Sequence, residues 1–168
     1  MPDYTESKAT TQYLKNYAEP EVRLVPNTPA YRHCLVIPAF NERWDSLQNV
    51  WQHIEDDFLL ILVVNAPESH EATLKLLEDI RLRAAPVDSK SENRRCIYLP
   101  GHPDILLVDR CTQGNTIEPH QGVGLARKIG ADIALQLHTD GKLKRARISI
   151  TDADAILPAD YFESGLNH

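Results

Sequence analysis

Asp152 and Asp154 stand one residue apart at the end of the run Arg147-Ile-Ser-Ile-Thr, with Pro158 shortly beyond. In an extended segment side chains alternate, so both carboxylates leave the chain on the same side. Two adjacent carboxylates repel, and burying them without a counter-charge is expensive. A hard divalent cation, carrying several waters and a phosphate, resolves that conflict. Asp-x-Asp is a short pattern, equally compatible with two solvated acids at a strand end. Its meaning depends on what the other elements bring beside it.

Those elements read as alternating strands and helices. Cys34-Leu-Val-Ile-Pro38 is a continuous apolar run, the pattern of a strand covered on both faces, and Pro38, lacking an N–H, is expected where ladder pairing stops. Asp45 with Gln48 resembles a capping box before a helix carrying Leu47, Val50, Trp51 and Ile54. A second strand is expected over residues 58–64, ending at Asn65, and Ser69 is positioned to cap a helix with Leu74, Leu77 and Ile80 inward. A polar connection over 85–95, with Arg94 and Arg95, precedes a third strand at Ile105-Leu-Leu-Val-Asp109. The long polar segment 110–121 has the character of a lid or binding loop. Gly122 and Gly124 then open a helix with Leu125, Ile129, Ile133 and Leu137 in one row and Ala126, Gly130 and Ala134 in the next. Glycine in mid-helix costs about 1 kcal/mol against alanine, so Gly130 implies close packing on a sheet. Thr139-Asp-Gly141 supplies turn chemistry at the helix end.

This alternation predicts an α/β protein, a three-layer α/β/α sandwich with a mainly parallel sheet. Ligands of such sheets bind at the carboxyl ends of the strands. Here those ends are 39–42, 65–69, 109–110 and 152–154, all polar or turn-forming, which places Asp152 and Asp154 beside the others.

Taken together, Leu35-Val-Ile-Pro-Ala-Phe-Asn-Glu42, the strand ending at Asn65, Gly124-Leu-Ala-Arg-Lys-Ile-Gly130 and Thr151-Asp-Ala-Asp-Ala-Ile-Leu-Pro158 resemble family 2 glycosyltransferases, over residues 34–162. The resemblance implies a nucleotide-diphospho-sugar transferase (glycosyltransferase A, GT-A) fold and sugar transfer from a UDP- or GDP-linked donor to an acceptor, with Mn²⁺ or Mg²⁺. It implies that Pro38, Ala39, Phe40 and Glu42 line the nucleoside pocket. Asn65 stands where the family usually has an aspartate facing the nucleoside. Arg127 and Lys128 stand where it has an Arg-Asn pair near the nucleotide, with charge suited to a diphosphate. Asp152 and Asp154 match the family's metal-binding motif. The metal would act as Lewis acid and template for the departing nucleoside diphosphate. An inverting transferase of this hexosyltransferase type also needs a general base. In the family that carboxylate comes well beyond the Asp-x-Asp, whereas this chain ends at His168. Asp160 and Glu163 are the nearest acids, with nothing marking either as the base. The expectation is therefore a donor-binding domain over 34–168, preceded by an N-terminal arm over 1–33, with an uncovered apolar face that favours homo-oligomers.

Composition narrows the class. The 168 residues are 42% apolar and 25% charged, with net charge −6, which suits a globular domain and argues against a nucleic-acid partner. No apolar run is long enough for a transmembrane helix. Cys34, Cys96 and Cys111 lack metal-site spacing and read as buried reduced thiols, which points to a cytoplasmic setting. Other readings of the chain are a non-catalytic nucleotide-sugar-binding module, an aspartyl-phosphate phosphohydrolase, and a dinucleotide fold. The phosphohydrolase places its Asp-x-Asp after the first strand. The dinucleotide reading fails at Arg127, where the third glycine belongs. The seven histidines include no His-x-x-x-His pair; His120 is the one set in the long loop.

Overall fold

The computed structural model describes residues 4–83 and 95–164. The chain runs α1 (Tyr4–Asn16), a 3₁₀ turn (Pro20–Arg23), β1 (Cys34–Ala39), α2 (Trp44–Trp51), β2 (Leu59–Asn65), α3 (Glu71–Arg83), β3 (Cys96–Leu99), β4 (Asp104–Arg110), α4 (Gly122–Thr139), β5 (Ser149–Ile150) and α5 (Tyr161–Ser164). The result is an α/β fold around one five-stranded sheet in the order β3-β4-β2-β1-β5. β1, β2, β4 and β5 are parallel, and β3 joins the edge antiparallel to β4.

Every residue of β1 and β2 is buried, as expected of central strands covered on both faces. Strand alternation divides their side chains between two clusters. Leu35, Ile37 and Ala39 join Leu47 and Val50 of α2 and Leu76, Leu77 and Ile80 of α3. Cys34 and Val36 face the other way, among Ala126, Ile129, Ile133 and Ala134 of α4. All three cysteines are free and buried, and burial pushes each thiol up to about 12, as expected of inert structural thiols. Among the described residues, no helix is long and apolar enough to cross a membrane.

Several local expectations change. Pro38 lies inside β1, paired with Val63. The β5 ladder covers only Leu35 and Val36, and Thr151 N donates to Val36 O at 3.0 Å as that ladder ends. Pro38 points the same way as Val36, two residues on, so its missing N–H faces a side where no strand remains to be bonded. α2 has no capping box: its N-cap is Arg43, without a side-chain hydrogen bond, and Asp45 sits in the first turn. α3 begins after His70 rather than after Ser69. The imidazole Nδ1 of His70 accepts from Thr73 N at 3.4 Å, taking the capping role. β3 was not foreseen, because residues 85–95 read as one polar connection. Of that connection, only Arg95 lies among the described residues. The last strand is two residues long, so Asp152 and Asp154 fall in the turn beyond it.

The N-terminal segment, expected only as an arm, is helical over Tyr4–Asn16 and is docked on α4. Buried Asp132 accepts from the Tyr13 hydroxyl at 2.6 Å, from Glu19 N at 2.9 Å and from Lys128 Nζ at 2.9 Å. Glu21, fully buried, receives Arg110 at 2.5 Å and Arg95 at 3.4 Å. A carboxylate buried this completely without such partners would cost several kcal/mol.

Gly130 sits where α4 crosses β1, and a Cβ placed there would lie 2.2 Å from Val36 Cγ1. Val36 is itself fully buried in the central strand and has little room to yield. Gly130→Ala gains about 1 kcal/mol of helix propensity but overpacks the helix–sheet contact. We expect net destabilisation of about 1–3 kcal/mol in urea unfolding; a stabilised variant would show that α4 does not rest on β1 in this way.

Candidate functional site at the carboxyl edge of the sheet

Because β1, β2, β4 and β5 are parallel, their carboxyl ends share one edge. Two of these ends shape a recess there. A cavity of about 250 Å³ opens between the β1 and β2 ends and the loop before α4, lined by Pro38, Phe40, Asn65, Ala66, Ile117 and Val123. Phe40 is 45% exposed and its ring packs against His70, with centroids 5.0 Å apart. The flat, accessible ring and the apolar walls suit a planar, partly apolar group. The cavity was only half visible in sequence. Pro38, Phe40 and Asn65, expected at the nucleoside pocket, line it, whereas Glu42 does not and Ala39 is fully buried in the cluster with α2 and α3; Ile117 and Val123, apolar positions around the start of α4, were the unused signal.

The backbone holds this wall by particular bonds. Asn41 adopts a left-handed conformation, φ 56°, which asparagine tolerates better than most residues, and its N–H donates to Thr73 Oγ1 at 3.0 Å. Asn65 is buried, and its amide donates to Ala39 O at 3.3 Å and Val63 O at 3.1 Å. That side chain ties the β1 and β2 ends together at the cavity wall. Ile117 N donates to Ala66 O at 2.9 Å, so the loop after β4 is anchored at its middle.

The β4 end takes a different part. Asp109 accepts from Cys111 N and Thr112 N at 3.0 Å each and from Thr112 Oγ1 at 2.7 Å. Burial alone would raise its pKa, but these hydrogen bonds outweigh burial and hold it below the ordinary value. Arg110 donates to Glu21 and, through Nε at 2.7 Å, to Asn115 O. Both residues are occupied in shaping the loop.

Asp152, Asp154, Glu42 and Arg127 supply the charge. Arg127, on the first turns of α4, forms an ion pair with Asp152. Both are substantially exposed, so the pair adds little to stability. Glu42 is half-buried, and its pKa is raised first by burial and then by the Asp154 carboxylate. Asp154, from a separate segment, thus acts on Glu42 through its charge, and among the described residues neither acid forms an ion pair with Lys or Arg. Lys128 is not part of this group. Burial opposes its charge, but hydrogen bonds to Asp132 at 2.9 Å and Glu19 at 3.1 Å overcome that and hold its pKa above the ordinary value. Its ammonium also donates to Tyr17 O at 2.9 Å, so it secures the N-terminal segment. His120 is exposed in the same loop and lines no part of the cavity.

No family model, curated protein or solved structure matches this chain. The site therefore stands on its geometry: an apolar recess and, at the same sheet edge, the Arg127–Asp152 ion pair and the acids Glu42 and Asp154.

The raised pKa of Glu42 is open to direct measurement. Asp154→Asn removes the repulsion and leaves the burial, so the Glu42 pKa should fall towards the ordinary glutamate value without reaching it. A carboxyl-detected NMR titration reads this; an unchanged Glu42 midpoint would mean that Asp154 does not face it.

Proposed function

We propose that the carboxyl edge of the sheet binds the nucleoside diphosphate of a UDP- or GDP-linked sugar with Mn²⁺ or Mg²⁺, and that the protein is a glycosyltransferase-like sugar-transfer domain. The reading takes the α/β fold to be a three-layer sandwich of the nucleotide-diphospho-sugar transferase type, with α2 and α3 on one side of the sheet and α4 on the other. The observation that carries it is the apolar recess at Phe40 beside the Glu42–Asp154 repulsion, a place for a flat base next to a place for a cation.

In this arrangement the base stacks on Phe40 against Pro38, with Asn65 and Glu42 as the polar contacts. Asp154 with Asp152 would hold the cation, which would offset the acid–acid repulsion and supply Lewis-acid stabilisation to the diphosphate. Arg127 exchanges part of its contact with Asp152 for the diphosphate, a charge-assisted interaction suited to a guanidinium. A cavity of about 250 Å³ has room for the base, with ribose and diphosphate extending along the open edge towards Arg127.

One observation favours donor binding without turnover as a second reading. Glu163, one of the two acids near enough in sequence to be considered as a base, lies beside His33 at the start of β1, at the other end of the strand from Phe40.

Titration calorimetry with UDP and GDP in the presence of Mn²⁺ tests the proposal. Binding should require the metal, and Asp154→Ala should weaken it more than about tenfold, or 1.4 kcal/mol, with unchanged circular dichroism. Metal-independent binding, or full binding by Asp154→Ala, would sink it. Sugar release or transfer from a nucleotide sugar then separates the transferase from the binding module.

A further inference from the structure

The opposite edge of the sheet holds a second group of ligating side chains. His33 immediately precedes β1, Asp56 lies in the turn before β2, and Glu163 is on α5. One ring nitrogen of His33 and one carboxylate oxygen from each acid lie within 4.8 Å of one another. His33 is 7% exposed, and its Nε2 is buried with no hydrogen-bond partner. Three other buried side-chain atoms among the described residues share that condition: Glu21 Oε2, Trp44 Nε1 and Arg81 Nε. Glu21 is already satisfied in charge by two arginines, and tryptophan and arginine nitrogens are donors without a lone pair for a metal. His33 alone among them has a ring that also stands beside two acids, one of its nitrogens lying within 4.8 Å of an oxygen of each.

We propose that His33, Asp56 and Glu163 form a binding site for a divalent transition-metal ion of the zinc class, separate from the nucleotide site and independent of that reading. Imidazole with carboxylates is a donor set such ions accept, and three protein ligands leave a further position for water. The spacing is that of a site before the ion draws it in. Neither acid is within ion-pair distance of His33, nor of any Lys or Arg among the described residues. An ion about 2.1 Å from each donor would bring the donors to about 3.4 Å apart in tetrahedral geometry, a movement of about 1 Å that the exposed Glu163 at the short C-terminal helix can make.

The surroundings favour a neutral imidazole, the form that ligates metal. Burial lowers the His33 pKa most; Asp56 and Glu163 act to raise it, and Arg145 and Arg32 act to lower it. The ring stacks on Phe162 with centroids 4.5 Å apart and planes 11° from parallel, which fixes its orientation. The consequence is a staple. Residues 157–164 already lie against α2 and the turn after it, through Leu157 N donating to Val50 O at 3.0 Å and Glu55 N to Ala159 O at 3.2 Å. The ion would cross-link that segment to the starts of β1 and β2, stabilising the folded state by mass action.

The experiment is equilibrium binding of Zn²⁺ alone to chelator-treated protein, with thermal unfolding in parallel. It is done on the Asp152→Asn/Asp154→Asn double variant as well as the unaltered chain, so that the carboxyl-edge acids contribute nothing. Expected are one Zn²⁺ bound by both proteins, a raised Tm, and X-ray absorption showing nitrogen and oxygen ligands with an imidazole and no sulfur. Glu163→Gln, at an exposed position where the fold survives, should weaken binding at least about tenfold, the loss that even outer-shell changes cause; Asp56→Asn should do the same. Undiminished Zn²⁺ binding by Glu163→Gln, sulfur ligation, loss of binding in the double variant, or no Zn²⁺ binding at all would each overturn the proposal.

Discussion

The contact between α4 and β1 at Gly130 and Val36 sets the geometry of the rest. Only a residue without a side chain lets the helix lie this close to the strand, since a Cβ would stand 2.2 Å from Val36 Cγ1. That approach fixes where the start of α4 emerges, and so brings Arg127 beside Asp152 across the β1–β5 edge. It also seats Lys128 and Asp132 on the outer side of α4, where they receive α1 and the 3₁₀ turn. One face of a single helix thus packs the sheet, one end helps form the carboxyl edge, and the outer side anchors the N-terminal segment.

The acids divide by whether the fold supplies their counterparts. Glu21 has Arg95 and Arg110, Asp132 has Lys128 and Tyr13, and Asp109 has the N–H groups of its own turn. Asp104 accepts from Tyr31 at 2.6 Å, Tyr98 at 3.0 Å and Gly101 N at 2.8 Å. These bonds outweigh burial and hold its carboxyl below the ordinary value. Glu42 with Asp154 at one end of the sheet, and Asp56 with Glu163 at the other, have no such partners. Two of these four are half-buried and two exposed, so what marks them is position: Asp56 and Glu163 stand with the buried His33 at one end of the sheet, and Asp154 acts on Glu42 at the other.

The sheet was legible because β1 and β2 are unbroken apolar runs, and the glycine in α4 announced its own close contact. The convergence of the carboxyl ends followed from that pattern, and Pro38, Phe40 and Asn65 do line one recess there. What escaped was tertiary in origin. β3 is four residues long and is held at the sheet edge by antiparallel pairing with β4. His70 displaced Ser69 as the cap because its ring reaches Thr73, which sequence spacing cannot reveal. Lys128 looked equivalent to its neighbour Arg127, yet one residue is about 100° around a helix, enough to turn it to the N-terminal segment. The His33, Asp56 and Glu163 group joins residues from three distant parts of the chain, with no local spacing to betray it.

The most direct test of the central claim is the position of bound manganese, read by anomalous diffraction from a crystal soaked with a nucleoside diphosphate and Mn²⁺. The account predicts a manganese peak on Asp154 and Asp152, with diphosphate between it and Arg127 and the base against Phe40. A nucleotide bound away from the Phe40 recess, or manganese found only away from Asp152 and Asp154, would contradict it.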